Sequence, residues 1–393
     1  MGRHDVVLSE DTSTIDLSTA ENWAAKMLLL QSINGAYSEL SEHNLAYPSS
    51  IGGCPTTRER IADLLNRHFK PSITVKSSHI VLTAGASFAL TALVEQICNP
   101  GDGILIAAPY WAGLDISIST HCHATIVPVH VPLNDFFSKS SIQSYQEEIN
   151  NSKIPIKAIL VCNPHNPLGQ CYPRETLRAL LELCERHKLH YISDEVYALS
   201  AHQPFAVDFQ PFVSALQLGK DGLKDQIHVV YSLSKDFGCN GIRVGALITQ
   251  FNDAVRLSTA LSVYNQVSTL STVLASKLIL KPATVEKIAK HGGEQLIEAY
   301  KSVKSFLEKE KTQYVPVTHG MFVFARLGRV NDFDEEERLL KCFKCRGLSV
   351  SSGSGYHFQE AGWFRICYGV PDEQLQEGLR RIGLGIQDFQ AGK

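Results

Sequence analysis

No apolar run in the 393-residue sequence approaches the roughly 20 residues that cross a bilayer, so no membrane span is expected. Neither sign of charge is in excess, since 37 basic against 40 acidic residues leave a formal charge of -3. Nucleic acid and anionic membrane surfaces, which select strongly basic faces, are therefore not expected partners. Internal repeats, low-complexity tracts and flexible linkers are missing as well, which sets aside solenoid and disordered classes. Met1 to Asp11 are polar and mixed in charge, so the reading predicts no secretory signal peptide. Val6 stands where a myristoylation signal starting at Gly2 would need Ser or Thr.

The ten cysteines have no framework spacing, and without a leader they read as reduced thiols of a cytoplasmic enzyme. Cys342 and Cys345 form one Cys-x-x-Cys inside an expected helix, Asp332–Arg346. The second pair that a structural zinc needs is missing, so no metal is expected. His121, Cys122 and His123 read as packing or surface residues in a strand or at its edge.

What the chain does have is 44% hydrophobic and 20% charged residues, ordinary for a globular protein, and enough length for one large domain and a smaller one. Seven β-rich runs punctuate residues 79–250: Ile80–Thr83, Ile104–Ala107, Thr125–Val131, Ala158–Cys162, His190–Ser193, Ile227–Tyr231 and Val244–Thr249. Helical patterns such as Phe88–Cys98 and Arg174–Lys188 separate several of them, bounded by Pro and Pro-Gly-Asp signals. This alternation predicts an α/β fold with a mostly parallel sheet covered by helices on both faces. Beyond residue 250 the pattern changes to helical stretches over Asp253–Leu280 and from Pro282 to about Lys311. Short strands at Tyr314–Thr318 and Met321–Leu327, a helix opening on Asp334–Glu337, a strand at Trp363–Tyr368 and a helix after Pro371 complete an α+β second domain.

Ligands of such sheets bind beyond the carboxyl ends of the strands, so the residues there carry the chemistry. The first strand runs into Ala84-Gly85-Ala86-Ser87 at a helix start, where small residues and free N–H groups suit an anion. The second is followed by Tyr110-Trp111, an aromatic able to stack on a flat ligand. Asn163-Pro-His-Asn-Pro-Leu-Gly169 is a stiff double Asn-Pro turn that can fix an amide side chain. Asp194 and Glu195 follow the next strand, and two buried carboxylates ask for a partner. Last comes Tyr231-Ser232-Leu233-Ser234-Lys235, with Arg243 a short loop later.

In this order the set resembles fold-type I, class I and II aminotransferases, and among them the 1-aminocyclopropane-1-carboxylate (ACC) synthase-like branch. The phrases that carry the resemblance are Val81–Ser87, Asn163–Gly169, Ser193-Asp-Glu-Val-Tyr197, Ser232-Leu-Ser-Lys-Asp-Phe-Gly238, Gly362-Trp-Phe-Arg-Ile-Cys367 and the early Ala20-Glu21-Asn22. It spans about residues 16–385. It implies pyridoxal 5′-phosphate (PLP) as cofactor and an α-amino acid as substrate, with Lys235 as the Schiff-base lysine and proton carrier. It also implies that Asp194 pairs with the ring nitrogen, that Tyr197 and Asn166 bond the ring's phenolic oxygen, and that Trp111 stacks on the ring. Ser232, Arg243, Gly85, Ala86 and Ser87 would hold the phosphate, and Arg365 the substrate carboxylate in two parallel bonds, with Asn166 beside it. Glu21 stands where ACC synthases carry a Glu beside the substrate's side chain. Tyr47, one residue out of register, matches a tyrosine that reaches the phosphate of a partner subunit, while Ile51 takes the ACC synthase position. Trp111 replaces the Tyr of ACC synthases and Asn240 their common Pro.

The resemblance further implies a homodimer built from an N-terminal arm joined to the small domain (1–45), a large PLP-binding domain (46–280) and a C-terminal small domain (281–393). Three activities stay open. An aminotransferase comes first. An ACC synthase-like elimination, C–S lyase or γ-replacement enzyme is second, and a catalytically silent dimer third.

Overall fold

The computed structural model describes residues 14–30, 33, 35, 40–48, 50–202, 209–219 and 222–392. Twelve strands are found among them: β1 (Ile15–Asp16), β2 (Ile80–Thr83), β3 (Gly103–Ala108), β4 (Thr125–His130), β5 (Ile156–Cys162), β6 (His190–Asp194), β7 (Ile227–Ser232), β8 (Gly245–Ile248), β9 (Phe322–Arg326), β10 (Leu348–Ser349), β11 (Ser351–Ser352) and β12 (Trp363–Cys367). Seven of them form one sheet in the order β2-β8-β7-β6-β5-β3-β4. Only β8 runs against its neighbours, so all the other strands end on one side.

Strand periodicity divides the core in two. Leu105, Ile159, Tyr191 and Val229 pack on one face, and Ile104, Ala158, Ile192 and Val230 on the other. Helices Pro55–His68 and Arg174–His187 cover the first face, while Ala86–Ile97 and Asp253–Ser262 cover the second. Both faces being buried explains why these strands read as unbroken apolar runs rather than alternating ones. All seven expected strands of the large sheet are present, with ends shifted by a residue or two.

A separate core surrounds β9 and β12, packed by helices Pro282–Lys309, Phe333–Cys345 and Asp372–Gln390. Strands β11, β12 and β9 form an antiparallel sheet here, and β1 pairs with β10, which ties residues 15–16 to this part of the molecule.

Three expectations are corrected. The stretch Asp253–Leu280 is two helical segments rather than one, Asp253–Ser262 and Thr269–Ile279. Asn265 between them takes a left-handed φ of 61°, a conformation Asn tolerates and a helix does not. Tyr314–Thr318 makes a single bridge, Tyr314 to Ala325, because Pro316 has no N–H to continue a ladder. His121 and Cys122 end a helical turn ahead of β4, and the Cys122 thiol donates to the carbonyls of Thr91 and Ser117 at 3.3 and 3.1 Å. Cys342 is buried and Cys345 exposed.

Candidate active site

The parallel strands end around a cavity of about 440 Å³. Its walls come from the turns after β2, β3, β5, β6 and β7, from the loop before β8, and from β12 of the smaller core. Residues 18–20 cross over it as a strap.

At one end Gly85 caps helix Ala86–Ile97 with a φ of 92°. A Cβ on Gly85 would lie 2.2 Å from Arg243 Nη2, so only glycine lets the guanidinium approach the helix start this closely. Arg243 itself takes a left-handed φ of 54°, and donates to the carbonyls of Asn240 (2.7 Å) and Ala84 (2.9 Å). Ala86, Ser87 and Ser232 line the same end. Free helix N–H groups, two hydroxyls and a planar cation make a cradle for a phosphate.

Asp194 closes β6 and opens on the cavity. Among the described residues its carboxylate accepts a single bond, a long one from the Val196 N–H at 3.4 Å. Burial raises its pKa to about 6, against the pull of that N–H and of Lys235. Lys235 follows β7, and its Nζ donates to the Ala20 carbonyl of the strap at 2.9 Å. Burial first, and the nearby Arg365 second, lower its pKa to about 8.

Arg365 projects from β12, fully enclosed. Nη1 donates to Asn166 Oδ1 at 2.9 Å and Nη2 to the Ser18 carbonyl, while Nε, also buried, has no hydrogen-bond partner among the described residues. Phe322 and Tyr356 lie 5.2 and 5.1 Å from the guanidinium, on whose charge their ring faces act favourably. Tyr197 is buried near Arg365 with its ring edge-on to Phe322, and burial holds its phenol well above the ordinary range. Trp111 keeps 41% of its surface exposed at the mouth, its ring lying over Gly113.

Two expected site residues stand elsewhere. Glu21 does not line the cavity. Its two oxygens accept from Lys26 Nζ and Asn240 Nδ2. Tyr47 is 82% exposed and away from the cavity of its own chain. The strap carbonyls of Ser18 and Ala20, and Val196 and His165 in the walls, escaped the sequence reading. Any residue supplies a carbonyl, so the strap leaves no trace in residue types.

The donor set fits PLP. A cationic helix start suits a phosphate, an underbonded buried carboxylate suits a protonated ring nitrogen, and an amine lines the same cavity. The unpartnered Nε of Arg365 leaves bonding capacity for a carboxylate. Sheet order and site together define a fold-type I, PLP-dependent transferase. The family described as aminotransferase class I and II matches residues 12–382, and the chain belongs to it. Its relatives agree. The chain is 48% identical to the probable aminotransferase tcpI of Claviceps purpurea, over 98% of this chain and 92% of that one. It is 30% identical to 1-aminocyclopropane-1-carboxylate synthase 11 of Arabidopsis thaliana, over 89% and 77% of the two. A double mutant of the Thermus thermophilus aspartate aminotransferase superposes with a TM-score of 0.76 at 19% identity, over 95% and 91%, which speaks for the fold alone. No described helix is long and apolar enough to cross a membrane.

Proposed function

We propose that the chain binds PLP through Lys235 and transfers the amino group of an α-amino acid to a 2-oxo acid. The observation that carries this reading is the convergence of Lys235, Asp194, Arg243 and Arg365 on one cavity. When bound, the cofactor supplies an electron sink that makes the bonds at the substrate's Cα labile. Arg243, Ser87, Ser232 and the N–H groups after Gly85 hold its phosphate. Asp194 keeps the ring nitrogen protonated, and Tyr197 and Asn166 bond the phenolic oxygen. Trp111 covers one ring face. Arg365 binds the substrate carboxylate and thereby fixes which bond at Cα faces the ring. Lys235 Nζ, with a pKa near 8, gains and loses a proton close to neutrality and moves the Cα proton.

Residues 46–280 form the cofactor-binding part of the chain, and 1–45 with 281–393 the part that brings Arg365. We place the working protein in the cytoplasm as a homodimer, with Tyr47 reaching the partner's phosphate site. Exposed Leu45, Tyr47, Ile51 and Tyr264 support a covered surface in that region. An active monomer in sedimentation at assay concentration would remove this part of the reading.

Borohydride reduction of the holoenzyme followed by peptide mapping tests the core of it. The expected label is on Lys235, and Lys235→Ala takes up no covalent cofactor. A label on another lysine overturns the assignment. The 30% identity to an ACC synthase supports a second reading, elimination or replacement at Cβ or Cγ. A single turnover without 2-oxo acid separates the two. Cofactor recovered in its amine form supports transamination, and free ammonia or a cyclised or substituted product supports the alternative.

A further inference from the structure

We propose that the site selects α-amino acids whose side chains carry no charge, and rejects both dicarboxylic and cationic ones. The inference rests on the PLP reading above and deepens it. Its ground is the count of charges around the cavity. Among the described lining residues four are ionic: Asp194, Lys235, Arg243 and Arg365. The cofactor and the substrate's own carboxylate occupy all four. Arg243 faces the phosphate, Asp194 the ring nitrogen, Lys235 the carbonyl carbon and Arg365 the α-carboxylate.

The titratable groups that remain in the wall are neutral. Burial lowers the pKa of His165 to about 3, and raises those of Tyr110, Cys162, Tyr172 and Tyr197 well above their ordinary values. A charged side chain entering this cavity would lose water and find no counter-ion, a loss that buried charges rarely recover.

The carboxylate beside the cavity does not alter the count. Glu21 is occupied on both oxygens, by Lys26 and Asn240, and Lys26 in turn lies over the Trp23 ring at 4.4 Å. Asn240 also gives its carbonyl to Arg243. Glu21 therefore anchors the strap to the loop that carries Arg243. It is a positioning residue, not a counter-ion for a cationic substrate. The segments expected to cross the interface, residues 44–55 and 264–269, contain no acidic or basic residue.

The experiment titrates the holoenzyme with α-methyl derivatives of phenylalanine, methionine, aspartate and ornithine. These have no Cα proton to lose, so the visible spectrum reads binding alone. The phenylalanine and methionine analogues are expected to bind about tenfold or more tighter than the charged pair, as an unpaired buried charge requires. A charged analogue binding as tightly as an uncharged one overturns the inference, and so does binding by none of the four. In either case, borohydride labelling at Lys235 leaves the cofactor reading standing, whereas a label elsewhere sinks that reading itself. Glu21→Gln provides the second arm. The inference expects weaker binding of all analogues by a common factor, because the strap is loosened. Weakening confined to the ornithine analogue would show a carboxylate facing the substrate, and would overturn it.

Discussion

Asp194 and Glu195 are consecutive carboxylates at the end of one strand, pointing to opposite sides of the sheet. Glu195 has no exposed surface, and accepts from Ser193 Oγ (2.9 Å), Ser214 Oγ (2.6 Å) and the Ala215 N–H (2.7 Å). Asp194 has one long bond and an open cavity. Burial raises both, Glu195 to about 7 and Asp194 to about 6, so the pKa does not tell them apart. The bonding does. A polar group saturated inside the protein fastens the fold, and one left short of partners beside a cavity awaits a ligand.

Substitutions can break that distinction, beginning where the expected effect is largest. Asp194→Asn should lower kcat/KM by about a hundred- to a thousand-fold, the range for removing one preorganised electrostatic partner, with little change in Tm of the cofactor-free protein. A large loss of Tm with normal turnover would reverse the comparison. Arg365, whose Nε is also unpartnered, belongs with Asp194. Arg365→Lys should cost about 2–4 kcal/mol in kcat/KM, and should narrow the preference for an amino acid over its decarboxylated amine. Equal rates on the two compounds with the native enzyme would contradict its role. Glu195→Ala should act in the opposite sense, costing about 1–3 kcal/mol in denaturant unfolding by stranding buried donors.

Asp236 gives the finest test, because it is short of a partner yet does not line the cavity. Its Oδ2 accepts from Tyr231 and the Leu199 N–H, while Oδ1 has none, and burial raises its pKa from 3.8 to about 8. A carboxyl with a raised folded pKa holds its proton in the native state after the unfolded chain has lost it. Its stabilising contribution is complete below pH 3.8 and disappears as pH rises through about 8. The cofactor-free protein should therefore lose stability across that window, and Asp236→Asn should flatten the decline. An unchanged slope in urea unfolding at several pH values would place the proton elsewhere.

The large sheet was legible because buried parallel strands leave continuous apolar runs, as Ile104–Ala107 and Ala158–Cys162 do. Most of the residues drawn around the cavity were legible because they follow such a run, whereas Arg365 lies inside β12 and was legible only through the resemblance. Charge pairing was not. The partner that the Asp194–Glu195 pair seemed to demand is, for Glu195, a set of hydroxyl and backbone donors instead of a cation. Glu21 looked free to meet a substrate because Asn240 is 219 residues away in sequence, a distance at which no pattern reports contact. The break at Asn265 carries no Gly or Pro to mark it, and its backbone angle reveals it.

The strap over the cavity is not an independent flap. Leu17 donates to the Ser349 carbonyl of β10 at 2.9 Å and accepts from the Cys367 N–H of β12 at 2.8 Å, and Trp23 donates to the Gly369 carbonyl at 3.0 Å. Arg365 is on that same β12. The piece that crosses the cavity and the strand that carries Arg365 are thus sewn into one fabric. Among the side-chain bonds that moor it to the opposite shore are Lys235 to Ala20, Asn240 to Glu21 and Arg365 to Asn166. Attachment of a cofactor at Lys235 would take that amine away from the Ala20 carbonyl. That would cut one mooring of the same door, so loading the site would also loosen the piece that crosses it.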